Sequence, residues 1–169
     1  DNTAPAIPTA MSLVTPATSP GNNSTPVIRV SGVANGETVA LYSDSGCTLP
    51  ALKASGSATS SSIDLTSSSL ASEGTYAFYA AAADGLGNTS ACSTASIIYV
   101  LDTAAPALTG LSNDATPAKS KTWNWGCSEA SCTYQFIVDT NASTTPSGTY
   151  GPATSAVQST GTGTYYLHI

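Results

Sequence analysis

The sequence predicts an all-β protein made of two tandem antiparallel β-sandwiches, of which the second is incomplete. The pattern Asp-x-x-Ala-Pro-Ala begins at Asp1 and again at Asp102, and the segment 74–79 is echoed by the segment 163–168. Repetition over this length indicates two structural units of one kind. Only 8% of the 169 residues are charged, while short alternating apolar segments are frequent, which favours pleated strands over surface helices. We therefore predict one sandwich over residues 1–101 and a second over residues 102–169.

Seven strands are predicted in the first unit, from alternating apolar residues bounded by turn-forming residues. The alternation of Val39 with Leu41 and of Tyr76 with Phe78 directs large side chains to one face of each strand. Glycine, proline, asparagine and aspartate supply the turns between the strands. The predicted strands cover residues 10–14, 26–33, 37–43, 51–57, 62–66, 75–83 and 95–101.

Fewer strands are predicted in the second unit, at residues 122–127, 133–139 and from 163 onward, with a polar connection over residues 141–161. Ile169 continues the strand-like segment that begins with the echo at 163–168, so we expect this unit to be truncated before its final strand. There are three alternative explanations: the parent chain supplies the final strand, a neighbouring chain supplies it, or the unit is a shorter sandwich that needs no such strand. We favour the first explanation.

The four cysteines are predicted to form two disulfides. Cys127 and Cys132 flank a short polar loop and suit a local bridge, which leaves Cys47 to pair with Cys92, although four cysteines allow three connectivities. Zinc is the less favoured alternative because the spacing is not paired and His168 is the only histidine. Disulfides indicate an oxidising, extracytoplasmic location.

The Cys47–Cys92 pairing conflicts with a simple strand map. Cys47 follows the third predicted strand, at the end of the sheet opposite the 84–88 turn, whereas Cys92 comes soon after that turn. A disulfide requires Cα atoms within about 7 Å. Either the final strand begins late and the segment 88–92 runs down the sheet, or the strand map is wrong.

Charge and residue types exclude several classes of function. The net charge is -6 and only four residues are basic, so we predict no nucleic-acid partner. Apolar runs are too short for membrane insertion of this segment. A single histidine and scattered carboxylates provide no catalytic constellation, so we predict no enzymatic activity and no required cofactor.

The Asp-x-x-Ala-Pro-Ala linker, the strand segment 40–42 and the stretch from Gly74-Thr75-Tyr76 to Asp84-x-x-Gly-Asn88 resemble bacterial immunoglobulin-like repeats of large secreted adhesins and cell-surface proteins. The resemblance implies tandem immunoglobulin-like sandwiches that act as a non-catalytic stalk or adhesion module. Neighbouring repeats of the same chain, and a surface protein or glycan ligand, would be the partners. The alternatives are a glycan-binding accessory module of a secreted enzyme and a fibre subunit that assembles by strand exchange.

Some arrays of this family hold calcium at domain junctions. The predicted topology brings the chain start and two loops to one end of the first unit, where Asp1, Glu37, Asp84 and Asn88 would converge. Carboxylate and amide oxygens are the ligands that calcium prefers. Residues of these types also dominate ordinary turns, and a turn built by Asp84 and Asn88 without calcium is the favoured alternative.

Trp123 and Trp125 alternate on one predicted strand, so both rings are expected on the same face. They are interpreted first as core anchors of a small sandwich. A pair exposed together would instead offer a carbohydrate-stacking platform, which makes these two residues the candidate ligand-binding residues.

Overall fold

The computed structural model describes residues 2–114 and 116–169, and it divides the chain into two compact units, Asp1–Thr103 and Ala104–Ile169. Antiparallel strands dominate both units, which confirms the all-β fold class. A 3₁₀ turn at Leu49–Ala51 is the one helical element among the described residues. No helix in that part of the chain has the length and apolar character needed to cross a membrane.

Unit 1 contains seven strands, each at a position predicted from the sequence. Alternation of apolar and small residues is a local signal, which explains why the predicted and observed ends agree closely. The strands are β1 (Ala10–Thr15), β2 (Val27–Ser31), β3 (Thr38–Tyr42), β4 (Leu52–Ser57), β5 (Ser62–Thr66), β6 (Gly74–Ala83) and β7 (Ile97–Leu101).

These strands form two sheets, one in the order β1-β2-β5 and one in the order β4-β3-β6-β7. The sheets pack face to face, because side chains from both contribute to one buried cluster. Burial of these side chains removes apolar surface from water and is the main stabilising contribution to the unit. Its fully buried members include Ile28 and Val30 from the first sheet, and Val39, Leu41, Phe78 and Tyr99 from the second.

The segment 88–93 runs back along β6 before β7 begins. Ser90 N–H donates to the Ala82 carbonyl at 2.8 Å, and Ser93 N–H donates to the Ala80 carbonyl at 2.8 Å. The two serine hydroxyls accept hydrogen bonds from the N–H groups of Ala82 and Ala80, each at 3.0 Å. β7 begins late and the segment 88–93 runs down the sheet, which is the first of the two explanations given above for how Cys92 can lie near Cys47.

The described residues of unit 2 form six shorter strands. They pair as β8 with β10, β9 with β12, and β11 with β13, all antiparallel. β12 lies inside the stretch predicted as a polar connection, and β8 was also not predicted. The strands are β8 (Leu108–Thr109), β9 (Lys121–Asn124), β10 (Gly126–Cys127), β11 (Ile137–Asp139), β12 (Ser155–Gln158) and β13 (Tyr166–His168).

The core of unit 2 is small and aromatic. Trp125 lies between β9 and β10, is 5% exposed, and packs with Tyr134 and Ala156. Its ring meets the ring of Tyr134 edge-on at a centroid distance of 6.1 Å, and that of Phe136 at 5.0 Å. The backbone N–H of Trp125 donates to the Thr154 carbonyl at 3.0 Å, which extends the pairing of β9 with β12 by one residue beyond Asn124 and Ser155.

Candidate functional site

Three of the predicted calcium ligands lie at the same end of unit 1. Thr38 pairs with Ala83, so Glu37 and Asp84 are the next residues beyond that pair on neighbouring strands. Asn88 lies in the same turn as Asp84 and donates to it. Asp1 lies outside the described residues.

Hydrogen bonds already engage both carboxylates. Asp84 Oδ1 accepts from the N–H groups of Leu86 and Asn88, each at 2.9 Å, and Oδ2 accepts from Asn88 Nδ2 at 2.7 Å. The Asn88 side chain is the largest cause of a lowered pKa at Asp84, and the backbone donors add to it against desolvation. Glu37 Oε2 accepts from Ala34 N–H at 2.7 Å.

These contacts build the turns by themselves, as the alternative to calcium requires. Within residues 2–114 and 116–169, no three His, Cys, Asp or Glu side chains are grouped so that they could hold a metal ion. The calcium site therefore stays a prediction, with Glu37, Asp84 and Asn88 as its described ligands.

The four cysteines pair as Cys47 with Cys92 and Cys127 with Cys132. Their Cα atoms are 5.5 Å and 6.5 Å apart, within the usual range for a disulfide. The first bridge connects the turn after β3 to the segment that returns along β6. The second bridge closes the short loop after β10.

The segment that follows β1 and the end of β7 meet in a contact that we call the terminal clamp, formed by Ser19, Gly21, Val100 and Asp102. Gly21 and Leu101 form a parallel bridge, in which Gly21 N–H donates to the Val100 carbonyl and Asp102 N–H to the Gly21 carbonyl, both at 3.0 Å. Val100 N–H donates to Ser19 Oγ at 2.8 Å. A Cβ at Gly21 would lie 2.7 Å from Pro16 Cγ, so this close approach requires glycine.

The two tryptophans of unit 2 have different environments. Trp125 is buried in the core, so its ring face is not presented to a ligand and the two residues do not form an exposed stacking pair. Trp123 is half-buried and packs against the same cluster, which places both rings on one face, as the alternation predicted.

A cavity of about 440 Å³ lies beside Trp123. Its other walls come from β13 and from the residues that follow β8. The side chains that line it include Leu111, Asn113, Tyr165, Tyr166 and Leu167. Aromatic rings line this cavity, but its exposed lining is more polar than apolar, which suits an amphipathic aromatic group such as a tyrosine side chain.

An acid–histidine pair lies at the rim of this cavity. His168 Nε2 is 2.9 Å from the Asn141 carbonyl and 3.5 Å from Asp139 Oδ1. A hydrogen bond from the Thr144 side chain is the largest cause of a lowered pKa at Asp139, with smaller contributions from Asn141 N–H and His168. These contacts hold β13 against the end of β11 and the residues that follow it, and they thereby position the wall of the cavity that β13 forms.

The sequence did not identify the terminal clamp or the cavity. Gly21 stands in a turn-forming stretch and Ser19 in a serine-rich chain, so neither residue differs from its surroundings. Comparison of the chain with models of known protein families gives no match, and comparison with curated proteins gives none either.

Proposed function

We propose that both units are immunoglobulin-like modules in the non-catalytic stalk or adhesion region of an exported bacterial surface protein. Seven strands divided between two packed sheets, as in unit 1, are typical of immunoglobulin-like sandwiches. All four cysteines are paired, and disulfides persist in oxidising compartments outside the cytoplasm.

The terminal clamp is the observation that carries the stalk role. Its two segments run parallel, so the start of the first and the end of the second point to opposite ends of the unit. A force that separates the ends of unit 1 therefore loads the clamp hydrogen bonds together, in shear. Bonds loaded together resist more force than bonds that open one after another, which is the property that a stalk needs.

Pulling single molecules from both ends tests this role. Unit 1 should unfold in one resolved event, and its disulfide identifies that event. Cys47 and Cys92 are 45 residues apart, so the closed bridge hides about 150–160 Å of extended chain, which reduction should release.

Gly21→Ala should lower the unfolding force of unit 1, because the added Cβ meets Pro16 and the Tyr99 hydroxyl. Gly85→Ala is the matched control, since a Cβ there meets open space and the force should not change. If the unsubstituted protein unfolds without a resolved force event, the stalk role is refuted. If the two variants unfold at equal forces, the terminal clamp is not the source of the mechanical resistance of unit 1.

A further inference from the structure

Unit 2 repeats the strand pairing of unit 1 with two strands fewer, when β9 and β10 are counted as one interrupted strand. In unit 2, the segment formed by β9 and β10 pairs with β8 on one side and with β12 on the other. In unit 1, β2 pairs in the same way with β1 and with β5. β11 pairs with β13, as β3 pairs with β6. The order along the chain is the same. Among the described residues, the strands without a counterpart in unit 2 are β4 and β7.

The position that corresponds to β7 is an open sheet edge. In unit 1, β6 pairs with β3 on one side and with β7 on the other. Within the described part of unit 2, β13 pairs with β11 alone. An edge of this kind presents backbone N–H and C=O groups that can pair with another strand.

The cavity beside Trp123 lies where the side chains of such a strand would enter. β7 in unit 1 lies between β6 and Gly21, a residue that follows β1. The cavity in unit 2 lies between β13 and residues 111–113, which follow β8. We call the open edge of β13 and this cavity together the β13 edge site.

Unit 1 shows what fills the corresponding position. Tyr99 of β7 is fully buried and lies opposite Tyr76 in the sheet. Its hydroxyl donates to the Asn23 carbonyl at 2.9 Å and accepts from Asn23 N–H at 3.1 Å. Tyr165 is the counterpart of Tyr76 in the repeated segment, and it lines the cavity.

We propose that the β13 edge site binds an extended polypeptide strand, antiparallel to β13, with the side-chain pattern of β7. Backbone hydrogen bonds to β13 supply affinity, and a tyrosine-like aromatic residue opposite Tyr165 enters the cavity over Trp123. Alternate positions of the strand face solvent and tolerate polar residues. Strand binding does not depend on the stalk role, because it rests on the pairing within unit 2.

A synthetic peptide with the sequence of residues 94–103 is the probe, added to the 169-residue protein. Both tryptophans lie in unit 2, and Trp123 lines the cavity, so binding should shift tryptophan emission to shorter wavelength in a saturable manner. A peptide with serine in place of Tyr99 should bind at least about tenfold more weakly, because it lacks the buried anchor. Trp123→Phe should remove most of the emission shift, because Trp125 does not line the cavity.

Register is tested by cross-linking. Thr164 corresponds to Thr75, which lies opposite Val100. The Thr164→Cys variant should form a mixed disulfide with a peptide that carries cysteine at the Val100 position. A peptide with cysteine at the Ile98 position, two residues out of register, should react much less.

A tethered form prevents weak affinity from hiding the interaction. The 94–103 sequence is joined after Ile169 through a flexible linker, which raises its effective concentration. It should raise the urea midpoint of unit 2, and the serine-substituted tether should not. No stabilisation by the tether would overturn the proposal. So would concentration-dependent dimerisation that the peptide does not reverse, or a glycan that shifts the emission when the peptide does not.

Discussion

Removal of the Cys47–Cys92 disulfide is expected to destabilise unit 1 about twice as much as removal of Cys127–Cys132 destabilises unit 2. A disulfide that closes a longer loop excludes more conformations of the unfolded chain. The bridges join cysteines 45 and 5 residues apart, and the loop-entropy relation then gives about 4 and about 2 kcal/mol.

Paired alanine substitutions remove each bridge separately. Cys47 has a left-handed backbone with φ of 50°, which alanine and cysteine disfavour alike, so the substitution leaves that cost unchanged. Urea unfolding of unit 2 is followed by tryptophan fluorescence, since Trp123 and Trp125 are the only tryptophans, and that of unit 1 by far-UV circular dichroism. At a slope of about 2 kcal/mol per M, the midpoints should fall by about 2 M and about 1 M.

Equal losses in the two units, or a larger loss in unit 2, would refute the reasoning from loop length. Stabilisation by the bridges would then arise from contacts in the folded state. Non-reducing peptide mapping of the unsubstituted protein checks the connectivity, and a link between Cys127 and either Cys47 or Cys92 would contradict both assignments.

Two further predictions concern the end of the second sheet in unit 1. Ser93→Ala should cost about 1–3 kcal/mol in urea unfolding, because it leaves the buried N–H of Ala80 without its acceptor, whereas the exposed Ser96→Ala control should cost little. Lowered pKa at Asp84 means that its stabilising contribution is present above about pH 3.9 and is lost as pH falls through the folded value. The protection of the Asn88 amide, measured as its exchange rate relative to the intrinsic rate at each pH, should therefore fall in acid, and Asp84→Asn should abolish that dependence. Calcium bound at Asp84 should shift the NMR signal of the Asn88 amide. An NMR spectrum that stays unchanged at saturating calcium would contradict the predicted calcium site.

Much of unit 1 could be predicted because its signals are local. Alternation of Val39 with Leu41 and of Tyr76 with Phe78 predicts strands from neighbouring residues alone. Glycine, asparagine and aspartate mark the turns between these strands. Unit 2 was predicted less well. β12 has only Ala156 and Val157 as apolar residues, so its pattern is too short to distinguish it from a polar connection.

Cysteine spacing by itself indicated the disulfides, and the return of the segment 88–93 along β6 explains how Cys92 reaches Cys47. No local pattern predicts that return, because Ser90 and Ser93 do not differ in sequence from the many other serines of the chain. Their role depends on the buried N–H groups of β6, which donate hydrogen bonds to their hydroxyls. Sequence alone therefore determined the all-β class and the strands of unit 1, and it favoured the two cysteine pairs. Tertiary structure decided which strand edges are covered, where Gly21 meets β7, and what remains open beside β13, because those features depend on hydrogen bonds and packing between residues distant in the chain.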